Sequence, residues 1–181
     1  KNLKMIITRT PFRISYFGGG TDFPDWYNVN GGKVISTTIN KYCYVNVRSL
    51  PPFFKFKYRL RYYKTEEVNS IGDIKHPSIK ETLKFKNFKD SMELLHNADL
   101  PAQSGLGASS SFTVGLLNCI NAKKGLISSK RKLASEAVEI EQNRIGEYVG
   151  SQDQYAAAFG GFNIIKFKKK NIEVKNIPVD L

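Results

Sequence analysis

The sequence predicts a single α/β domain of the α+β kind, a mixed sheet packed on helices, because its hydrophobic period changes along the chain. Residues 5 to 65 alternate with a period of two, residues from 109 onward carry apolar side chains at helical spacing, and the C-terminal stretch returns to strand-like runs. At 181 residues the chain suits one compact domain, or a piece of a larger protein, with enough length to bury a core.

Met5 opens a strand-like run, and residues 1 to 4 read as an extension or remnant ahead of it. "KVISTTINKYCYVNVRSL" at 33 to 50 is β-branched and aromatic; it reads as one or two strands, broken near Asn40-Lys41 and ended by Pro51-Pro52. In "FKFKYRLRYY", Phe54, Phe56, Tyr58, Leu60 and Tyr62 point one way and Lys55, Lys57, Arg59 and Arg61 the other, the pattern of a half-buried strand. Between 65 and 100, "HPSIKETLKF" predicts a short helix and "DSMELLHNAD" a strand. Phe112, Leu116, Cys119 and Ile120 then share one helical face, with Gly125 placed as a left-handed cap. Ser128 or Ser129 offers an N-cap to the next helix, whose face runs through Leu133, Ala137, Ile140 and Arg144 until Gly146 stops it. A short helix spans Gln152 to Phe159, and "FNIIKF" and "IEVKNI" predict a closing strand pair joined by the basic turn "KKKN".

Composition narrows the function classes. The chain is 41% hydrophobic and 24% charged, as globular proteins are, and 28 Lys+Arg against 16 Asp+Glu give a net charge of +12. Either an anionic partner or a merely basic surface accounts for that charge. Cys43 and Cys119 show no framework spacing and read as free thiols in a reducing, cytoplasmic compartment. The longest mostly apolar or glycine run, residues 156 to 165 with Asn163 within it, is far short of the roughly 18 residues of a membrane span. "KNLKMIITRT" has no apolar core of a signal peptide. No metal cluster, internal repeat or low-complexity segment is evident.

Three stretches carry the chemistry. "AQSGLGASSS" is a glycine-rich loop running into a helix, which presents free backbone N–H groups and a positive dipole end to a phosphate. Gly105 and Gly107 allow close approach, Leu106 can anchor the loop, and one of Ser109, Ser110 and Ser111 could reach a magnesium ion. The same residues also suit a purely structural cap, and no Gly-Lys-Ser/Thr follows as in a Walker loop. In "EQNRIGEYVGSQDQYAAAFGG", Asp153 sits at a helix start, where the dipole keeps it ionised as a base or a positioner of a hydroxyl, or simply as a helix-end charge. Glu141 lies beside an apolar face and needs a partner, either a metal ion or Arg144 three residues on. In "TPFRISYFGGGTDFPDW", Gly18, Gly19 and Gly20 make a bare wall beside Thr21 and Asp22 that suits a polyhydroxylated ligand. Arg13 could stabilise a transferring phosphoryl group or tune a nearby carboxylate, and an ordinary turn with a strand-face arginine is the alternative.

Taken together, "PFRISYFGGGTDF", "SGLGASSS" and "GSQDQYAAAFGG" resemble the three motifs of the GHMP kinase superfamily, in the order expected and across nearly the whole chain. Within it, "TPFRISYFGGGTDFPDW", "SGLGASSSFTVGLLN" and "VGSQDQYAAAFGGFN" are similar to the D-glycero-D-manno-heptose 7-phosphate kinases. The resemblance implies that residues 1 to 181 are the N-terminal ATP-binding domain, related to domain 2 of ribosomal protein S5, with the C-terminal ferredoxin-like domain absent. It implies an ATP-dependent kinase using Mg2+ that phosphorylates the C1 hydroxyl of the heptose 7-phosphate, with ATP and a phosphorylated sugar as partners.

By position, the resemblance makes Asp153 the residue that orients or deprotonates the attacking hydroxyl, with Arg13 beside it. Ser109 and Glu141 become the magnesium ligands. Gln103, Ser104, Gly105, Leu106, Gly107, Ala108, Ser109 and Ser110 wrap the ATP phosphates, while Gly18, Gly19, Gly20, Thr21 and Asp22 face the sugar. Gly19 and Gly20 stand where galactokinases carry Glu and His, which argues against galactose, and Gln103 replaces a glycine common in the phosphate motif. Neither nucleic acid nor a membrane is expected as a partner, a homodimer is left open, and a kinase for another sugar such as fucose remains the alternative. A non-catalytic ATP or sugar binder, or a nucleic-acid module built on "FKFKYRLRYY", is the rival of a different class.

Overall fold

In a computed structural model that describes residues 5–169 and 171–179, seven strands and five helices form one mixed α/β domain. The sequence expectation for residues 1 to 4 lies outside the described residues, as does Lys170 of the basic turn. The spine of the sheet is β2 (Gly32–Ser49), a single 18-residue strand. It pairs along its length with β1 (Met5–Phe17), through its C-terminal half with β5 (Met92–Ala98), and through its N-terminal half with β6 (Phe162–Lys168), all antiparallel. β7 (Asn171–Asn176) closes one edge on β6. Beyond β5, β3 (Tyr58–Arg61) runs parallel to it, and β4 (Thr65–Val68) forms the other edge.

The expected break near Asn40-Lys41 is a bulge inside one continuous strand. Pro11 faces Tyr42 while Arg13 faces Thr38, so Ile39, Asn40 and Lys41 lie opposite Phe12 alone. Such bulges bend a strand and re-aim its side chains. The half-buried strand expected over 54 to 62 shrinks to Tyr58–Arg61. Phe54 and Phe56 keep the alternation of burial but fold back, their rings 5.4 Å apart, with the Arg59 guanidinium 4.4 and 4.8 Å from the two ring centres. Arg59 also pairs with Glu67 and Glu93, so its charge is answered within the domain.

Among the helices, α1 (Pro24–Asn30) packs on β6, and α2 (Pro77–Phe85) packs beside α3 (Ala108–Lys123), which lies on β1 and β2. Gly125, at φ 73°, ends α3 as expected: the Leu126 N–H donates to the Asn121 carbonyl and the Gly125 N–H to that of Ala122. The Ser129 side chain accepts from the Lys132 N–H and starts α4 (Lys130–Val138). The main core joins Phe12, Val45, Val47 and Leu94 of the sheet to Ile79, Leu83, Leu116 and Ile120 of α2 and α3. A second cluster sets Val114, Leu117 and Ala157 against Leu133, Ala137 and Ile140. Truncating a fully buried leucine such as Leu116 to Ala would cost about 2–5 kcal/mol.

α4 continues into a π-helical segment, Glu139–Ile145, stopped by Gly146 at φ 80°. Sequence periodicity placed Arg144 on the buried face with Leu133, Ala137 and Ile140. The wider turn puts Ile145 against the core instead, and Arg144 swings out over the Phe85 ring at 4.6 Å. The segment leads directly into the loop before α5 (Gln152–Phe159), so the local change of pitch lies beside the candidate site.

Candidate active site

Residues 103 to 107 coil tightly into α3, with Gln103, Gly105 and Gly107 all left-handed at φ 62°, 74° and 76°. Gln103 therefore holds the conformation that a glycine adopts without strain, which accounts for the residue type usual at that place. Gly107 is the N-cap and no side chain caps the helix, so the first-turn amides of α3 have no side-chain partner. The loop is tied to β1: the Arg13 N–H donates to the Leu106 carbonyl at 3.0 Å, and Ser111 Oγ donates to the Pro11 carbonyl at 2.8 Å. Leu106 and Ala108 pack on the main core, while Ser104 and Ser109 are exposed.

Arg13 reaches from β1 to the start of α5. Its Nε donates to Asp153 Oδ1 and its Nη2 to Oδ2, both at 2.7 Å, and Nη1 donates to the Gly105 carbonyl at 2.8 Å. One guanidinium thus joins the glycine loop to the acid. A Cβ on Gly107 would stand 3.3 Å from both Arg13 Cγ and Asp153 Oδ2. Burial lifts the Asp153 carboxyl above its ordinary range, and nearby Asp22 adds to this, while the Arg13 charge pulls it back. The carboxylate stays 24% exposed and faces a cleft of about 270 Å3.

Glu141, from the π-helical segment, faces the same cleft. It is 1% exposed; its Oε2 accepts from Ser110 Oγ at 2.8 Å and from the Gln154 amide, and its Oε1 is buried without a partner. Burial pushes its carboxyl above the ordinary glutamate range, opposed by polar neighbours that include the Gln154 and Ser110 donors. Arg144, the alternative partner in sequence, pairs with Glu139 at 3.7 Å. Ser109, exposed at the helix N-terminus, and Glu141, with its orphaned carboxylate oxygen, line the same cleft, and hydroxyl and carboxylate oxygens are the hard donors that Mg2+ takes. Among the described residues no cluster of three or more His, Cys, Asp or Glu suits a metal bound by protein alone.

Asp22 is also brought here, but as a brace. It is 1% exposed, Oδ1 accepts from the Gly20 N–H at 3.1 Å, and Oδ2 accepts from the Gln152 N–H at 3.2 Å. Its backbone carbonyl accepts from the Ser151 N–H. Gly150 has to be glycine, because a Cβ there would fall 1.8 Å from Asp22 Oδ2. Thr21 Oγ1 donates to the Gly18 carbonyl at 2.7 Å and fixes the turn, while Gly19 and Gly20 open to space that holds nothing within 4 Å of an added Cβ.

Sequence reasoning missed Gln154, whose amide orients Glu141, and an apolar cavity beside the glycine loop. That cavity is walled by Phe12, Tyr62, His76, His96 and Phe112 and opens toward Gln103 and Ser109. His76 and His96 lie 5.1 and 4.8 Å from the Phe112 ring. Buried Glu66 shapes it, accepting from the Tyr62 hydroxyl at 2.7 Å and from the N–H groups of Lys75 and His76. Phe12, Glu66, His96 and Phe112 come from four different elements and Tyr62 and His76 from the segments between elements, and no local spacing in the chain links them.

The family model for the GHMP kinases N terminal domain matches residues 77–161. The D-glycero-alpha-D-manno-heptose 7-phosphate kinase of Campylobacter jejuni is 32% identical over 174 residues, covering 91% of this chain and 51% of that protein. A galactokinase of Thermosipho africanus and the L-fucokinase/L-fucose-1-P guanylyltransferase of Bacteroides fragilis are each 25% identical, over 83% and 87% of this chain and 42% and 20% of theirs. The crystal structure of a D-glycero-D-manno-heptose 1-phosphate kinase from "Bacteriodes thetaiotaomicron" superposes with a TM-score of 0.85 at 25% identity, covering 96% of this chain and 60% of that one. The chain spans about half the length of the heptose 7-phosphate kinase it matches. Motif order, site geometry and these matches agree: residues 77–161 belong to the GHMP kinases N terminal domain family, and the described chain has the fold of the heptose kinase it superposes on.

Proposed function

We propose that the chain binds Mg-ATP and transfers its γ-phosphoryl group to the C1 hydroxyl of D-glycero-D-manno-heptose 7-phosphate, giving the 1,7-bisphosphate and ADP. The observation that carries this reading is the convergence of the Arg13–Asp153 pair and the Glu141–Ser110 pair on the uncapped N-terminus of α3. The amides of the 103–110 loop take the ATP phosphates, and the neighbouring apolar cavity takes the base. Ser109 and Glu141 would hold Mg2+, which when bound would neutralise charge on the phosphates. Asp153 orients the C1 hydroxyl and accepts its proton as the new O–P bond forms and the bond to ADP breaks. Arg13 fixes the carboxylate for that task, and the net charge of +12 favours capture of two polyanions.

Heptose is favoured over galactose and fucose by the higher identity to the heptose 7-phosphate kinase and by glycines at 19 and 20 that leave the wall bare. The nucleic-acid reading loses its main support, since Phe54, Phe56 and Arg59 are engaged with one another. The test is calorimetry with Mg-ATP, with and without the heptose 7-phosphate, following ADP release. Nucleotide binding with heptose-dependent ADP release is expected; release with galactose or fucose alone would reassign the sugar, and absence of nucleotide binding would overturn the reading.

A further inference from the structure

Next to the cleft of Asp153 and Glu141 lies a second hollow, built where the end of the first motif stretch meets the loop before α5. Gly20, Phe23, Asp25, Trp26 and Tyr148 wall it. Phe23 and Tyr148 also wall the catalytic cleft, so the two spaces adjoin. The rings of Phe23 and Tyr148 lie 5.0 Å apart, and the Tyr148 hydroxyl donates to Asp25 Oδ2 at 3.4 Å. Trp26 is 51% exposed and Tyr148 77% exposed.

The fold holds these rings outward on purpose-built supports. Pro24 starts α1, and Tyr27 anchors the helix by stacking on Phe167 at 5.6 Å, which leaves the preceding Asp25 and Trp26 on the open side. Aromatic faces edged by carboxylates recognise a hydroxyl-rich ring: its C–H face packs on the rings, and its hydroxyls donate to the acids. They do not recognise phosphate, because Asp25 and the adjoining Glu147 and Asp22 repel an anion.

We propose that Trp26, Tyr148 and Asp25 form the surface that binds the neutral, polyhydroxylated ring of the phosphoryl acceptor, with any phosphate of that acceptor turned away from it. The proposal rests on the reading of the Asp153 cleft as an acceptor kinase site. It differs from that reading in naming residues of α1 and of the loop before α5 as the determinants of sugar affinity.

Trp26 is the single tryptophan of the chain, so its emission reports the surface directly. The protein would be titrated with D-glycero-D-manno-heptose 7-phosphate, with D-mannose and with inorganic phosphate, and separately with fluorescent Mg-ATP. The expected result is a saturable change in Trp26 emission with both sugars and none with phosphate. Asp25→Asn and Tyr148→Ala should each weaken sugar binding about tenfold and leave Mg-ATP affinity unchanged; Tyr148→Phe should retain the stacking part. Mg-ATP binding without any sugar-induced change in Trp26 emission, or variants with unaltered sugar affinity, would overturn the proposal while sparing the kinase reading. Loss of Mg-ATP binding in the unmodified chain would instead strike that reading. A concentration-dependent change in emission without sugar, matched by dimers in sedimentation, would assign the surface to a second copy of the chain and overturn the proposal.

Discussion

Arg13 and Asp153, 140 residues apart in the chain, meet through two parallel 2.7 Å hydrogen bonds that leave the carboxylate one orientation. A lysine would keep the charge but lose the fork, along with the contact to the Gly105 carbonyl. In an active form of the enzyme, Arg13→Lys should therefore lower kcat by about a hundredfold or more with little change in KM for ATP. Asp153→Asn should abolish turnover while ATP binding persists. Steady-state kinetics and calorimetry read both, and near-normal kcat in either variant would remove the pair from the chemistry.

Glu141 gives a pH-dependent stability with a definite sign. Its carboxyl titrates above the ordinary range in the folded chain because it is buried. The folded state therefore holds its proton more tightly than the unfolded state. That contribution is present below the ordinary glutamate range and is lost as pH rises through the raised value. Without metal, Glu141→Gln should flatten this loss and raise the melting temperature at pH 7 by a few degrees. It should also erase stabilisation by Mg-ATP, and Ser109→Ala should weaken it. A Gln variant that melts lower at pH 7 yet keeps the full Mg-ATP shift would refute both the buried charge and its metal role.

How far the sequence foretold this site depends on how local each signal is. The glycine loop, the acid at the start of α5 and the caps at Gly125 and Ser129 each depend on a few adjacent residues, and the structure has them where periodicity and capping placed them. The inward turn of Glu141 depends on a π-helical pitch that a 3.6-residue period misses. Asn40-Lys41 looked like a strand end because a bulge and a break leave the same polar interruption in the sequence. The brace formed by Asp22, Gly150 and Gln152 and the cavity around Phe112 are meetings between distant segments, for which one sequence offers no spacing to read.

Gly107 tests whether backbone geometry alone supports the ion pair. Its φ of 76° strains any side chain, and a Cβ would press at 3.3 Å on both Arg13 and Asp153. Gly107→Ala should cost about 1–2 kcal/mol of stability from the left-handed conformation and reduce turnover more than nucleotide binding. Gln103→Gly, which relieves the same strain nearby, should be neutral or stabilising. Equal stability and activity of Gly107→Ala and wild type would show that the loop has room the geometry denies it.

The histidines of the apolar cavity make the last test. Burial lowers His76 and His96 below the ordinary histidine range, and the nearby His96 further disfavours the charge of His76, with Glu66 opposing. Both are then neutral at pH 7 in the folded chain, while the unfolded chain takes up protons near pH 6.5. Stability from this source is present above that pH and is lost as pH falls, with a limiting slope of about 1.4 kcal/mol per pH unit for each proton. His96→Phe preserves an aromatic wall against Phe112 and removes one of the two protons, so its urea-unfolding free energy should fall less steeply between pH 6.5 and 5 than that of the wild type. Identical slopes would mean that His96 is as easily protonated in the cavity as in water, and the cavity would then be wetter than its apolar lining indicates.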